Sequence, residues 1–145
     1  MSPRSARPRR ALDPAALTAA TPCPCGLPAA YGECCGRFHS GEAAAPSAEL
    51  LMRSRYSAFV ALDTAYLLRT WHPDTRPAQL DLDPGMAWEG LEVTEVTNGG
   101  PFHSAGTVTF RARYRHHGKR GELRERSTFE RFAGAWVYVD GTFIE

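Results

Sequence analysis

Apolar residues recur at helical spacing through Leu51, Met52, Tyr56, Ala58, Phe59 and Leu62, which predicts an amphipathic helix with one buried face. Ser47 stands where an N-cap belongs, and Glu49 falls in the first turn, where the helix dipole favours an acid. Asp63 offers a second cap, predicting a short helix through Tyr66, Leu67, Leu68 and Trp71 that Pro73 stops. From Trp88 the period changes to two. Leu91, Val93 and Glu95 alternate with Glu92, Thr94 and Val96 as far as a turn at Asn98-Gly99-Gly100. Residues 106–116 place Val108, Phe110, Ala112 and Tyr114 on one face and Thr107, Thr109, Arg111, Arg113 and Arg115 on the other. A turn over 118–121 leads to a third strand, 122–132, containing Leu123, Ser127 and Phe129. The run Ala135-Trp136-Val137-Tyr138-Val139 predicts a fourth strand that stops at Asp140-Gly141. Helices first and an antiparallel meander after them predict an α+β fold, with helices on one face of a curved sheet.

This pattern leaves the first 46 residues outside the larger unit, 47–145. Residues 1–20, rich in Ala, Arg and Pro, read as a disordered basic tail; 21–40 read as a small knuckle and Ser40 to Ala45 as a linker. The knuckle and the β-rich unit are expected to fold separately. At 145 residues and 43% hydrophobic, the chain suits one domain with an appendage. A net charge of +1 gives no global reason to expect nucleic acid or membrane. Asp81, Asp83, Glu89, Glu92 and Glu95 form an acidic stretch, and Arg111, Arg113, Arg115, Lys119, Arg120, Arg124 and Arg126 a basic one, for which the plainer reading is a solvated sheet face and the sharper an anion or nucleic-acid patch.

All four cysteines lie within thirteen residues, as Cys23-Pro24-Cys25, eight residues, then Cys34-Cys35. Zinc takes four sulfur or nitrogen ligands tetrahedrally, and a structural site fills all four with protein. Paired disulfides and a redox centre are the competing readings. The N-terminus runs from Arg4, Arg7, Arg9 and Arg10 into Ala11-Leu12-Asp13-Pro14 with no apolar segment, so neither a signal peptide nor a twin-arginine leader is expected. A reducing, cytoplasmic setting follows, in which clustered cysteines read as metal ligands. Structural zinc is therefore the expected cofactor, with Cys23, Cys25, Cys34 and Cys35 as ligands. His39 is the alternative to Cys35.

Cys23-Pro24-Cys25-Gly26, Tyr31 and Cys34-Cys35-Gly36 resemble the SEC-C motif, best known from the C-terminal tail of the preprotein translocase motor ATPase. That resemblance implies the same four ligands, and it implies partner docking, although Leu27-Pro28-Ala29-Ala30 replaces a stretch where basic residues are common. Further on, Leu51 to Phe59, Thr70-Trp71-His72-Pro73, Glu125-Arg126-Ser127-x-Phe129 and Trp136-x-Tyr138-x-Asp140-Gly141 resemble the YchJ-like family of uncharacterised bacterial proteins. The resemblance implies an N-terminal SEC-C knuckle joined to a nuclear transport factor 2-like (cystatin-like) domain. It implies no reaction.

A curved sheet closed by helices leaves a place for a pocket. Arg53, Arg55, Tyr56, Trp71, His72, Trp136, Tyr138 and Asp140 are its candidates, with His72 and a carboxylate for proton transfer and arginine for an anionic group. The plainer reading has the arginines fastening helix to sheet through Glu125 or Asp140 and the tryptophans filling core. No phosphate loop, nucleophile elbow or H-E-x-x-H helix is present. Two function classes remain: a non-catalytic adaptor docking a protein, for instance ribosomal or translocation machinery, through the knuckle, and a small-molecule binder or enzyme using the pocket. The adaptor is the preferred expectation.

Overall fold

The computed structural model describes residues 17–145, so most of the expected basic tail lies outside the described residues. Residues 18–21 form a turn, and the Ala19 carbonyl accepts from Gly32 N at 3.0 Å, tying this end of the expected tail to the knuckle. A 3₁₀ turn, Tyr31–Glu33, is followed by helices α1 (Cys35–His39), α2 (Ala48–Ala61) and α3 (Thr64–Arg69). Strands β1 (Met86–Asn98), β2 (Ala105–His116), β3 (Lys119–Phe132) and β4 (Ala135–Phe143) then form one antiparallel sheet in chain order. The expected α+β architecture is the one observed.

The helix caps sit where the sequence puts them. Ser47 Oγ accepts from Leu50 N at 3.1 Å and Asp63 Oδ1 from Tyr66 N at 3.0 Å, each bond satisfying a donor that helix geometry leaves unpaired. Helix α3 is shorter than expected and ends at Arg69. Trp71 instead pairs as a parallel bridge beside Tyr138: Tyr138 N donates to Thr70 O and His72 N to Tyr138 O, both at 2.8 Å. An exposed edge of β4 offers unpaired backbone groups, and residues 70–72 satisfy them, a gain that further helix would forgo.

Two hairpins turn on residues with positive φ. His117 and Gly118 join β2 to β3, and Ala133 and Gly134 join β3 to β4, with φ between 51° and 86°. Such two-residue turns match strand twist. The strand therefore resumes at Lys119, and Gly121, expected in a turn, is paired opposite Tyr114 inside the sheet. A Cβ there would lie 2.4 Å from Cζ of Tyr114, so the phenol ring lies across the space where another residue would carry a side chain. Strand β4 runs through Asp140-Gly141 to Phe143 instead of stopping there, because β3 continues to offer partners from Glu125 to Thr128.

The principal core joins Ala48, Leu51 and Met52 of α2 to Val108, Phe129 and Trp136 of the sheet. Helix α2 departs from the single apolar face the spacing predicts. Ser54, Arg55 and Ser57 are buried as well as Leu51, because the knuckle and α3 cover the side that reads as polar. Phe38 of the knuckle shares a cluster with Ala58, Tyr66 and Leu67, so the segment expected to be a free linker joins two parts of one packed body.

Candidate functional site

The knuckle is built by short-range backbone bonds. Cys23 N donates to Ala29 O at 2.9 Å and Tyr31 N to Thr21 O at 2.7 Å, folding the Cys23–Cys25 loop back against the 3₁₀ turn. That turn and α1 deliver Cys34 and Cys35. All four cysteines are at most 6% exposed, their Sγ atoms lie within 4.8 Å of one another, and no disulfide is present. Cys25 and Cys34 Sγ are 3.7 Å apart, against about 3.8 Å for the edge of a sulfur tetrahedron around zinc at its usual bond length. Hydrogen bonds from Cys25 and Cys35 hold the Cys23 thiol far below its ordinary range, and the same contact with Cys23 pushes Cys25 up to about 12. Thiols this crowded resist losing a second proton unless a cation shares the charge. Donor set, spacing and burial are compatible with a bound metal.

His39, the alternative ligand, is committed elsewhere. Its Nε2 lies 2.8 Å from Ser54 O, which can only accept, so Nε2 carries the proton and Nδ1 accepts from the Tyr31 hydroxyl at 2.5 Å. Arg53 closes the other side, with Nη1 donating to Cys25 O at 2.7 Å and Nε to Glu49 Oε2 at 2.9 Å. It fastens α2 to the knuckle, through partners other than those the sequence suggests.

The second feature is a cavity of about 200 Å³ between α2, residue 71 and the concave face of the sheet. Four of the candidates line it: Arg55, Tyr56, Trp71 and Tyr138. Arg55 is 6% exposed. Its guanidinium sits 5.1 Å from the Trp71 ring and 4.5 Å from the Tyr138 ring, a cation–π arrangement on both. Nη1 donates to Leu67 O at 2.8 Å and Thr70 Oγ1 at 2.7 Å, while Nε and Nη2 have no hydrogen-bond partner among the described residues. Burial lowers its pKa to about 10, and the group stays charged at neutral pH.

Glu125 also lines the cavity, and Ser127 with it. The Glu125 Oε2 accepts from Ser127 Oγ at 2.6 Å and from Tyr138 Oη at 3.5 Å. A Cβ at Gly141 would come within 2.1 Å of that oxygen, so the missing side chain makes room for the carboxylate. Burial, then the nearby Glu125 charge, pushes Tyr138 up to about 12. In the sequence Glu125 stands in a family motif and as a partner for arginine, and neither marks it as a cavity residue. Its signal was its phase, since it alternates inward with Leu123, Ser127 and Phe129.

The other four candidates, Arg53 on the knuckle side of α2 and three more, lie away from the cavity. His72 packs its ring on Phe132 at 5.2 Å, with Nε2 3.9 Å from Glu130. It neither lines the cavity nor caps α3, which has already ended. Trp136 belongs to the principal core, covered by Arg131 at 4.5 Å, and its indole nitrogen is buried without a partner among the described residues. Asp140 is exposed on β4, paired with Thr128 in the register. The outer sheet face carries ion pairs including Arg111 with Glu92, Arg115 with Glu89 at 3.3 Å and Arg124 with Glu122 at 3.3 Å, as a solvated face would. Sequence spacing gave no sign of Asp83, His116 and His117, whose ligand atoms gather within 4.8 Å of one another at the surface. No helix among the described residues is long and apolar enough to cross a membrane.

Comparison with known proteins agrees with this architecture. Residues 47–141 match the family model described as YchJ, middle NTF2-like domain. A UPF0225 protein of Streptomyces avermitilis is 62% identical over 142 residues, covering 98% of this chain and 99% of its own. One from Streptomyces coelicolor is 64% identical over 124 residues, covering 86% and 97%. The solution structure of a SEC-C motif containing protein from Rhodopseudomonas palustris superposes with a TM-score of 0.75 at 33% identity, covering 85% of this chain and 98% of that one. The crystal structure of a sec-c motif containing protein from Psychrobacter arcticus gives 0.71 at 28% identity, covering 88% and 85%. With a SEC-C knuckle packed on a four-stranded NTF2-like domain, this chain belongs to the YchJ-like UPF0225 family.

Proposed function

We propose that the protein binds a small molecule in the cavity of its NTF2-like domain, and that a zinc ion held by Cys23, Cys25, Cys34 and Cys35 is a structural staple for that domain. The cavity carries the reading: it joins aromatic walls to a buried arginine and a carboxylate that are not ion-paired with each other. A site of this kind binds through apolar area and takes its specificity from a few placed polar groups. Zinc would be supplied with four thiolates facing inward, so its role is to hold structure and it needs no open coordination position. Reduced thiols of this kind suit the cytoplasm.

Docking of a protein partner through the knuckle, the preferred expectation from sequence, has less behind it. The thiol-bearing side is spent on Leu91 of β1 and on Ser57 and Arg53 of α2, and Leu27-Pro28-Ala29-Ala30 offers no basic residue to an acidic partner. Ligand-observed NMR with ring-sized fragments tests the cavity. Binders should lose their signal transfer in Leu123→Trp, which puts an indole into the space. A folded wild-type protein that binds no fragment overturns the reading. Metal analysis should find one zinc per chain, falling well below one equivalent in Cys35→Ala. Full retention in that variant would bring His39 back as ligand.

A further inference from the structure

The cavity holds one positive and one negative group. Arg55 keeps Nε and Nη2 without hydrogen-bond partners among the described residues, and Glu125 uses Oε2 for Ser127 and Tyr138. No ion pair joins the two within 4.0 Å. Tyr138 stands between them, with the guanidinium 4.5 Å from its ring centroid and the carboxylate at its hydroxyl. Trp71 also lines the space. Around these groups the lining is apolar and flat-sided, from Phe59, Trp88, Phe110 and Phe129.

Two constraints on a ligand follow. The first is size. A dry cavity of about 150 Å³ accepts benzene, so about 200 Å³ accepts one ring and a small substituent at each end. The second is charge. An anion would satisfy Arg55 but meet Glu125 in a low-dielectric space, and a cation would do the reverse. Buried polar groups left unmatched cost affinity, whereas a matched donor and acceptor recover it.

Resting on the cavity being a ligand site, we propose that its ligand is a planar, single-ring compound of zero net charge. It presents a hydrogen-bond acceptor to Arg55 and an N–H or O–H donor to Glu125. Glu125 and Arg55 are then specificity-determining residues, and the aromatic walls supply area without discrimination.

The test uses three probes on the intact protein, followed by titration calorimetry and NMR: 4-hydroxybenzamide, benzoate and toluene. The first carries both an acceptor and donors, the second an anionic acceptor alone, the third neither. 4-Hydroxybenzamide should bind about 10-fold or more tighter than either of the others, the usual worth of a hydrogen bond to a charged group. Glu125→Gln keeps the shape and removes the charge, and it should erase most of that advantage while leaving toluene affinity within about twofold. Arg55→Lys should act likewise, but Arg55 also fastens α3, so Glu125→Gln decides the matter if that variant fails to fold. Equal affinity for all three probes, or tightest binding by benzoate, overturns the proposed chemistry and leaves the cavity a ligand site. Failure of all three to bind overturns both.

Discussion

His39 shows how a single side chain can look like a ligand and serve another purpose. Its two nitrogens bridge Tyr31 and Ser54, and burial lowers its pKa from the ordinary value of 6.5. The unfolded chain therefore takes up the proton first as pH falls. The stability that neutral His39 supports is complete above about pH 6.5 and is lost as pH drops from there towards the folded value. Urea unfolding at pH 7.5 and 5.5 should show this loss, and His39→Gln should shrink it. Comparing the two proteins cancels any acid sensitivity of the thiols, which both share. An unchanged slope in His39→Gln would remove the imidazole from the account. Sequence could not reveal this role, since His39 sits at ligand-like spacing from Cys35 and its partner Ser54 lies fifteen residues away. Glu125 was hidden differently. Its inward phase was readable, but only the absent side chain of Gly141 on the neighbouring strand shows why a carboxylate fits there.

Among the elements, periodicity and capping residues told most of the story. Ser47 and Asp63 mark their helices correctly, and the alternation of 106–116 gives the inward face of β2, with Val108 and Ala112 fully covered. What escaped was whatever depends on a neighbour brought in from afar. Ser54 and Ser57 read as the polar side of α2, yet they lie under side chains of the knuckle: Ser54 O meets the His39 ring, and Ser57 Oγ lies 3.7 Å from Cys23 Sγ. Trp71 left the helix because the β4 edge was there to receive it. The β3–β4 turn leaves a local cost behind. Ala133 adopts φ 52° where Asn or Gly is usual, a conformation that disfavours a Cβ by about 1–2 kcal/mol. Ala133→Asn should therefore raise stability by about 0.5–1 kcal/mol, read as a higher denaturation midpoint at unchanged slope. A lower midpoint would show that the alanine contributes something else.

At the scale of the whole molecule, the knuckle and the NTF2-like domain share side chains to a degree that the sequence did not suggest. Phe38 is 3% exposed within a cluster built from α2 and α3, and Arg69 donates to Phe38 O at 2.9 Å. If the four thiols hold zinc as proposed, removing it should lower the melting temperature of the entire chain, in place of melting residues 21–40 alone. Phe38→Ala should cost about 3–5 kcal/mol with the thiols untouched. Sheet circular dichroism that melts at the same temperature with and without chelator would restore the picture of two separate units. The closed packing around the thiols has a kinetic consequence as well. Arg53 and Ser57 of α2 lie against Cys25 and Cys23, and Leu27, Tyr31 and Leu91 pack on the cluster, leaving no cysteine more than 6% exposed. A chelator in solution has no direct path to an ion held there, and must wait for the knuckle to lift from the helix. Metal release should then proceed at a rate that stops rising with chelator concentration, and Arg53→Ala should quicken it. A rate that keeps climbing in proportion to chelator would mean direct attack. If it levels off, the time the ion stays bound is a clock set by how often the knuckle opens.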